Sequence, residues 1–180
     1  MNKSVIVICL FSLLLLNGCG NNDNSEKLKW RSKKHITSKE MAAECMDYFA
    51  NAFNEKQTDI IIDLLPDSAL ENKDTSIYKD QVESLYSYIN NDIVSFDIDL
   101  PPDSSVSNDR GTGIVTYRGY YRFFTNDDTF WIRFDLCTRN DENPKEIGLT
   151  RIIVASSQVK ERENFNWLYY NDPPGFYTVQ

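Results

Sequence analysis

Arg118, Tyr120 and Arg122 recur at every second position in one stretch of the chain, and Trp131, Arg133 and Asp135 do the same in the next. Guanidinium groups on one face of paired strands can grip a carboxylate or phosphate through forked hydrogen bonds. Arg151, in a third stretch, can join them. If this face turns inward, the arginines line a cavity and select an anionic ligand. If it turns outward, they form cross-strand ion pairs with Asp135 on a solvated surface, where Tyr120 and Trp131 become exposed aromatic anchors for a protein partner. The opposite faces, carrying Tyr117, Tyr121 and Phe123 and then Phe130, Ile132, Phe134 and Leu136, are more apolar and have the stronger claim on the interior. Buried unpaired charge is costly. Gly119 complicates the count, because a glycine inside a strand can mark a bulge that reverses the facing.

Little else could do chemistry. The one histidine, His35, precedes the first predicted helix, which excludes a His-based zinc site and a Ser-His or Cys-His nucleophile from the folded part. No metal-ligand spacing or cofactor motif is present. Of four cysteines, Cys9 and Cys19 belong to the N-terminal segment, leaving Cys45 and Cys137. These are either a disulfide, which an oxidising exterior permits, or two separately buried thiols.

Leu16-Asn17-Gly18-Cys19 closes an apolar run, Val5 to Leu16, that follows Lys3. A run of twelve residues, interrupted only by Ser12, is too short to span a bilayer and reads as a signal. The tetrapeptide resembles the lipobox of lipoprotein signals, with Asn17 departing from the usual small residue. That resemblance implies removal of residues 1–18, lipid on Cys19, and a domain anchored on the extracytoplasmic face of the cell membrane, each buried methylene adding about 0.8 kcal/mol. Residues 19–35 then form a lipidated cysteine and a tether, whose Lys27, Lys29, Arg31, Lys33 and Lys34 either keep it solvated or hold it near anionic lipid. Residues 36–180 form one domain. The whole chain carries a formal charge of -8, which argues against a nucleic-acid partner.

The elements that must position the arginines follow from periodicity. Thr37-Ser38-Lys39-Glu40 has the form of a capping box, and Met41, Cys45, Phe49 and Phe53 mark one helical face. Thr58 is expected to cap a short helix, Asp59 to Leu65, stopped by Pro66; a third runs from Ser76 to Asn90. The period then changes to two. Strands are expected over Ile93 to Leu100, Ile114 to Phe124, Phe130 to Cys137 and Ile147 to Ser156, with a loop from Asp103 to Gly111. Phe165, Trp167, Leu168, Tyr169, Tyr170, Phe176 and Tyr177 make the C-terminal tail too apolar to leave in water. It should pack on the sheet or close one end.

The fold class is therefore α+β, three N-terminal helices packed on a curved antiparallel sheet of about four strands. This order, with the helix-turn-helix from Phe49 to Leu65, resembles the nuclear transport factor 2-like, or SnoaL-like, cone. The lipobox, acidic domain and closing Asp-Pro-Pro-Gly-Phe-Tyr look like an uncharacterised lipoprotein family of Gram-positive bacteria. The cone superfamily includes enzymes, ligand binders, scaffolds and immunity proteins. Its enzymes imply an Asp base with polarising tyrosines, here Asp135 with Tyr48, Tyr117 or Tyr120. Three functions stay open: a non-enzymatic module for an exported or membrane protein, such as a toxin; a binder of an anionic or aromatic small molecule in the cone; and an isomerase-like or hydrolytic enzyme. A homodimer through the open sheet face is compatible with the resemblance.

Overall fold

The structure, a computed structural model, describes Arg31 and residues 37–71, 74–97, 105–109, 111–161 and 173–179. Helix α1, Ser38–Asn54, opens with the expected reciprocal cap: the Thr37 hydroxyl accepts from the Glu40 amide at 3.2 Å, and the Glu40 carboxylate accepts from the Thr37 amide at 2.8 Å. It ends where Lys56 takes a left-handed φ of 56°. The amides of Lys56 and Gln57 then reach back to the carbonyls of Phe53 and Ala52, satisfying groups the helix end would leave bare. Helix α2, Thr58–Ile62, is shorter than expected and preceded by Gln57, with no side-chain cap. Pro66 starts a further helix, α3, Asp67–Leu70, where a missing N–H costs nothing. Helix α4, Ser76–Ile89, buries Tyr78, Val82, Leu85 and Ile89 and stops at left-handed Asn90.

The sheet is larger than four strands and is mixed. Its strands are β1 Ser95–Asp97, β2 Ser105–Asp109, β3 Ile114–Phe124, β4 Thr129–Arg139, β5 Gly148–Ser156 and β6 Gly175–Val179. They lie in the open order β1-β3-β4-β5-β6, with β2 beside β1 along the same edge of β3. All pairs are antiparallel except β5 with β6. Strand β2 falls where a loop was expected; all five residues are exposed, so no alternation betrays it. Strand β6 comes from the aromatic tail, and places Phe176 in the core. A last helix, α5 Ser157–Lys160, gives five α-helices among the described residues, four of them before the sheet and not three. The strand expected from Ile93 begins only at Ser95, and Val94 before it is 62% exposed.

Helix α1 lies against β3 and β4, and Phe49, Phe53, Phe123, Phe134 and Phe176 fill the space between helices and sheet, none more than 1% exposed. A second, smaller cluster of Ile153, Ala155, Val159 and Val179 forms on the other sheet face, with Tyr120, Trp131 and Tyr177 against it. Both faces of the sheet are thus partly apolar. Among the described residues no helix is long and apolar enough to cross a membrane. The expected signal, Cys19, His35 and the aromatic residues 165–170 lie outside the described residues.

Candidate functional site

The arginine face turns away from the helices that precede the sheet and toward the side on which the short α5 packs. Cross-strand register puts Arg118 opposite Asp135 and Asp135 opposite Arg151; the next row aligns Tyr120, Arg133, Ile153 and Tyr177, and the next Arg122, Trp131, Ala155 and Val179. The strand alternation read from the sequence holds, and Gly119 carries no bulge. Its role is different: a Cβ there would meet the Tyr121 ring at 2.6 Å, so the bare backbone lets that ring lie back along the strand. The Tyr121 hydroxyl reaches that of Tyr117 at 2.9 Å inside the core.

Two bulges lie elsewhere. Register skips Thr138 between β3 and β4, and Thr150 between β4 and β5. In each, the extra residue is a threonine whose hydroxyl donates to a carbonyl of the partner strand, Val115 at 3.2 Å and Asp135 at 2.9 Å. The second bulge shapes the site. Without it Leu149 and Arg151 would share a face; with Thr150 inserted, Leu149 is buried in the core and Arg151 comes round to Asp135.

One carboxylate therefore meets three guanidinium groups. Asp135 Oδ1 accepts from Arg118 Nε at 2.7 Å and Arg133 Nε at 3.3 Å, while Oδ2 accepts from a terminal nitrogen of Arg133 at 2.7 Å and of Arg151 at 3.3 Å. The face is not the solvated surface that an outward orientation implied: Arg133 is fully buried and Asp135 only 8% exposed. Burial alone would disfavour the charge on Arg118, but the hydrogen bond and attraction of Asp135, with Tyr120 adjoining, outweigh it and raise its pKa above the ordinary value. Toward the β3–β4 turn the chemistry becomes aromatic. Arg122 pairs with Asp97, its guanidinium carbon lies 5.4 Å from the Trp131 ring centroid, and Lys160 Nζ lies 5.5 Å from the same ring. The patch combines an anchored fork, Arg118, with a cation and indole pair, both partly open to solvent.

A family model described as a domain of unknown function, DUF5104, matches residues 48–161. The chain belongs to this family. The DUF5104 match takes in every residue of the arginine face from Arg118 to Lys160, and no curated protein matches the chain.

Other candidates from the sequence do not assemble. Tyr117 faces the core and Tyr48 lies on α1, so of the three tyrosines only Tyr120 shares a face with Asp135. Cys45 and Cys137 are both buried free thiols, not a disulfide. Cys45 is packed between α1 and the sheet, whereas Cys137 follows core-facing Leu136 and turns the other way, its sulfur 3.4 Å from the Arg139 carbonyl. Burial raises both thiol pKa values. Among the described residues no group of three or more His, Cys, Asp or Glu could hold a metal ion.

Sequence reasoning missed Arg31. Assigned to a solvated tether, its side chain is only 10% exposed and donates to Asp63 O at 2.5 Å, Leu65 O at 2.7 Å and Asp67 Oδ1 at 3.0 Å. It closes carbonyls that α2 leaves bare at its C-terminal end. The missing signal was the shortness of α2, since the apolar run through Leu65 conceals that the helix ends at Ile62.

Proposed function

We propose that this chain is an extracytoplasmic lipoprotein held to the cell membrane by lipid on Cys19, and that its domain, a nuclear transport factor 2-like cone, is a non-enzymatic module that binds an exported or membrane protein. Neutralising a toxin is one form such binding would take. The observation that carries this reading is the orientation of the arginine face. The side of the sheet toward the helices is occupied by packed aromatic rings, whereas Arg118 and Arg122 stand on the other side with side chains 37% and 34% exposed. Arginine and aromatic residues are the types that most often anchor a protein partner, and an ion pair that holds a guanidinium in place lowers the entropy lost on contact.

Two experiments separate the parts of this proposal. Replacing Cys19 with alanine should abolish incorporation of a labelled fatty acid into the protein; undiminished labelling would remove Cys19 as the site of the anchor. A photo-crosslinking residue at position 118 should capture a specific exported or membrane protein that the same residue at Glu83, an exposed position of helix α4, does not. Purified, that partner should bind at least about tenfold more weakly to Arg118→Glu/Arg122→Glu, the loss of about 1.4 kcal/mol or more. Equal capture from both positions would remove the arginine face from the interaction.

A further inference from the structure

We infer that the partner presents an acidic side chain to Arg118, and that its carboxylate is received between the Arg118 guanidinium and the hydroxyls of Ser105, Ser107 and Thr116. This rests on the protein-binding reading of the arginine face and names the chemistry of the contact.

On β3 and β4 the side chains of Arg118, Arg122 and Arg139 are 37%, 34% and 59% exposed, and their counter-charges differ. Among the described residues Arg122 has the Asp97 carboxylate to itself, and Arg139 has that of Asp141. Arg118 has a share of Asp135, whose Oδ1 also accepts from Arg133 and whose Oδ2 accepts from Arg133 and Arg151. With one negative charge divided among three guanidinium groups, Arg118 is the least neutralised of the exposed arginines. Its donors are also unspent. A guanidinium carries five N–H groups. In Arg118, Nε goes to Asp135 and Tyr120 adjoins, and none of its nitrogens is buried without a partner. The rest of the fork is open to an acceptor arriving from solvent.

The neighbouring strand supplies the second half of the site. Ser105 of β2 stands opposite Arg118 on the side away from Asp135, their Cβ atoms about 5 Å apart. Thr116 lies two residues along β3, about 7 Å away on the same face, and Ser107 is opposite it. All three are exposed. A hydroxyl rotates to donate wherever an acceptor sits, so a carboxylate reaching from the Arg118 fork toward β2 meets a donor at each oxygen. Nothing encloses the spot, since every residue of β2 is exposed. An exposed ion pair is weak, so a free anion gains little here. A carboxylate carried on a protein brings the cover that excludes water, and the pair strengthens as the surrounding contact dries. The 2.7 Å bond from Nε to Asp135 holds the fork in place before the partner arrives, which spares part of the entropy lost on binding.

The test titrates the full-length chain, nitrogen-labelled and held in neutral detergent micelles, with the peptide acetyl-Glu-Glu-Glu-amide, and follows arginine Nε–H and backbone amide resonances by NMR. The Arg118 Nε–H and the Ser105 and Thr116 amides should shift together, with an apparent affinity at least about threefold tighter than that read at Arg122 or Arg139. Acetyl-Gln-Gln-Gln-amide should leave them in place; equal shifts with it would overturn the inference. Arg118→Lys, which keeps the charge and loses the fork, should weaken the response at Ser105 and Thr116 at least about threefold. Equal responses at the three arginines, or an undiminished one in Arg118→Lys, would overturn the inference. So would inorganic phosphate binding at least about tenfold tighter than the peptide, which would make the ligand a phosphate. A shift of Arg118 on doping the micelles with phosphatidylglycerol, without peptide, would give the site to the membrane surface instead. If Arg118 ignores the peptide while crosslinking still captures a partner at the arginine face and not at Glu83, this inference alone falls. Equal capture from both positions would overturn the reading it rests on, and the inference with it.

Discussion

Replacing Gly119 with alanine tests whether β3 is built around the ring of Tyr121. The added methyl would lie 2.6 Å from Tyr121 Cε2 and 2.8 Å from both Cζ and the hydroxyl, where carbon contacts ordinarily begin near 3.4 Å. The ring must then move by roughly 1 Å. It has nowhere to go: Tyr121 is 1% exposed, its ring stands edge-on to Phe134 at 6.2 Å, and its hydroxyl is held 2.9 Å from Tyr117. Overpacking a core in this way costs about 1–3 kcal/mol, and parting two buried hydroxyls costs about 1–3 kcal/mol more. At about 3 °C per kcal/mol for a domain of this size, the melting temperature should fall by about 10 °C. Thermal melts followed by circular dichroism would measure it. The decisive comparison is a double-mutant cycle with Tyr121→Leu, which removes the part of the ring that the methyl strikes. Gly119→Ala should then cost little in the Tyr121→Leu background, a coupling well beyond the about 0.5 kcal/mol of independent sites. A Gly119→Ala protein that melts with the parent, or an additive cycle, would refute the reasoning.

Three further outcomes are expected. Asp135→Ala removes the acceptor shared by Arg118, Arg133 and Arg151, and because Arg133 is fully buried the loss in urea stability should be about 3–5 kcal/mol; a change below about 1 kcal/mol would show that the carboxylate is dispensable. Under non-reducing conditions Cys45 and Cys137 should resist a thiol reagent in the native protein and both react once it is unfolded; a missing thiol after unfolding would mean that the pair had been oxidised. Hydrogen bonds from the Thr37 amide and hydroxyl hold the Glu40 carboxyl below its ordinary value of 4.5, so this cap stabilises the fold above that pH and its contribution is lost as the pH falls through the lowered value. Glu40→Gln should flatten that part of the acid limb in thermal melts, and an unchanged limb would discount the cap.

What could be read without coordinates was whatever repeated. The stripe of α1 and the alternation of β3 and β4 are periodic signals, and they placed Arg118, Arg122, Arg133 and Asp135 on one face with the opposite face toward the helices. Features set by one side chain meeting a distant backbone left no such trace. The bulge at Thr150 breaks the alternation of β5, so Leu149 is out of step with Ile152 and Val154 in the sequence, although all three reach the core. Strand β2 is exposed on both sides and its sequence is that of a loop. Burial of Arg133 could not be inferred either, because a guanidinium is tolerated inside only where its acceptors are arranged in three dimensions. Gly119 was correctly singled out and wrongly explained: the position answers to a ring two residues away.

The parallel strand β6 sets the order in which this protein can become itself. A chain emerges with its N-terminus first, whether from a ribosome or through a membrane channel, and residues 175–179 follow every other described element. Until they arrive, the core lacks Phe176, the Tyr88 hydroxyl lacks the Val179 carbonyl that it meets at 2.6 Å, and Gln81 lacks the Phe176 amide that donates to it at 3.0 Å. Contacts that join α4 to a strand some ninety residues later make the last step of folding a long-range closure, slow by its topology. A chain cut short before β6 would carry an open edge on β5 and an unfinished core. The arrival of β6, more than of the first helix, is the event that commits this domain to its native state.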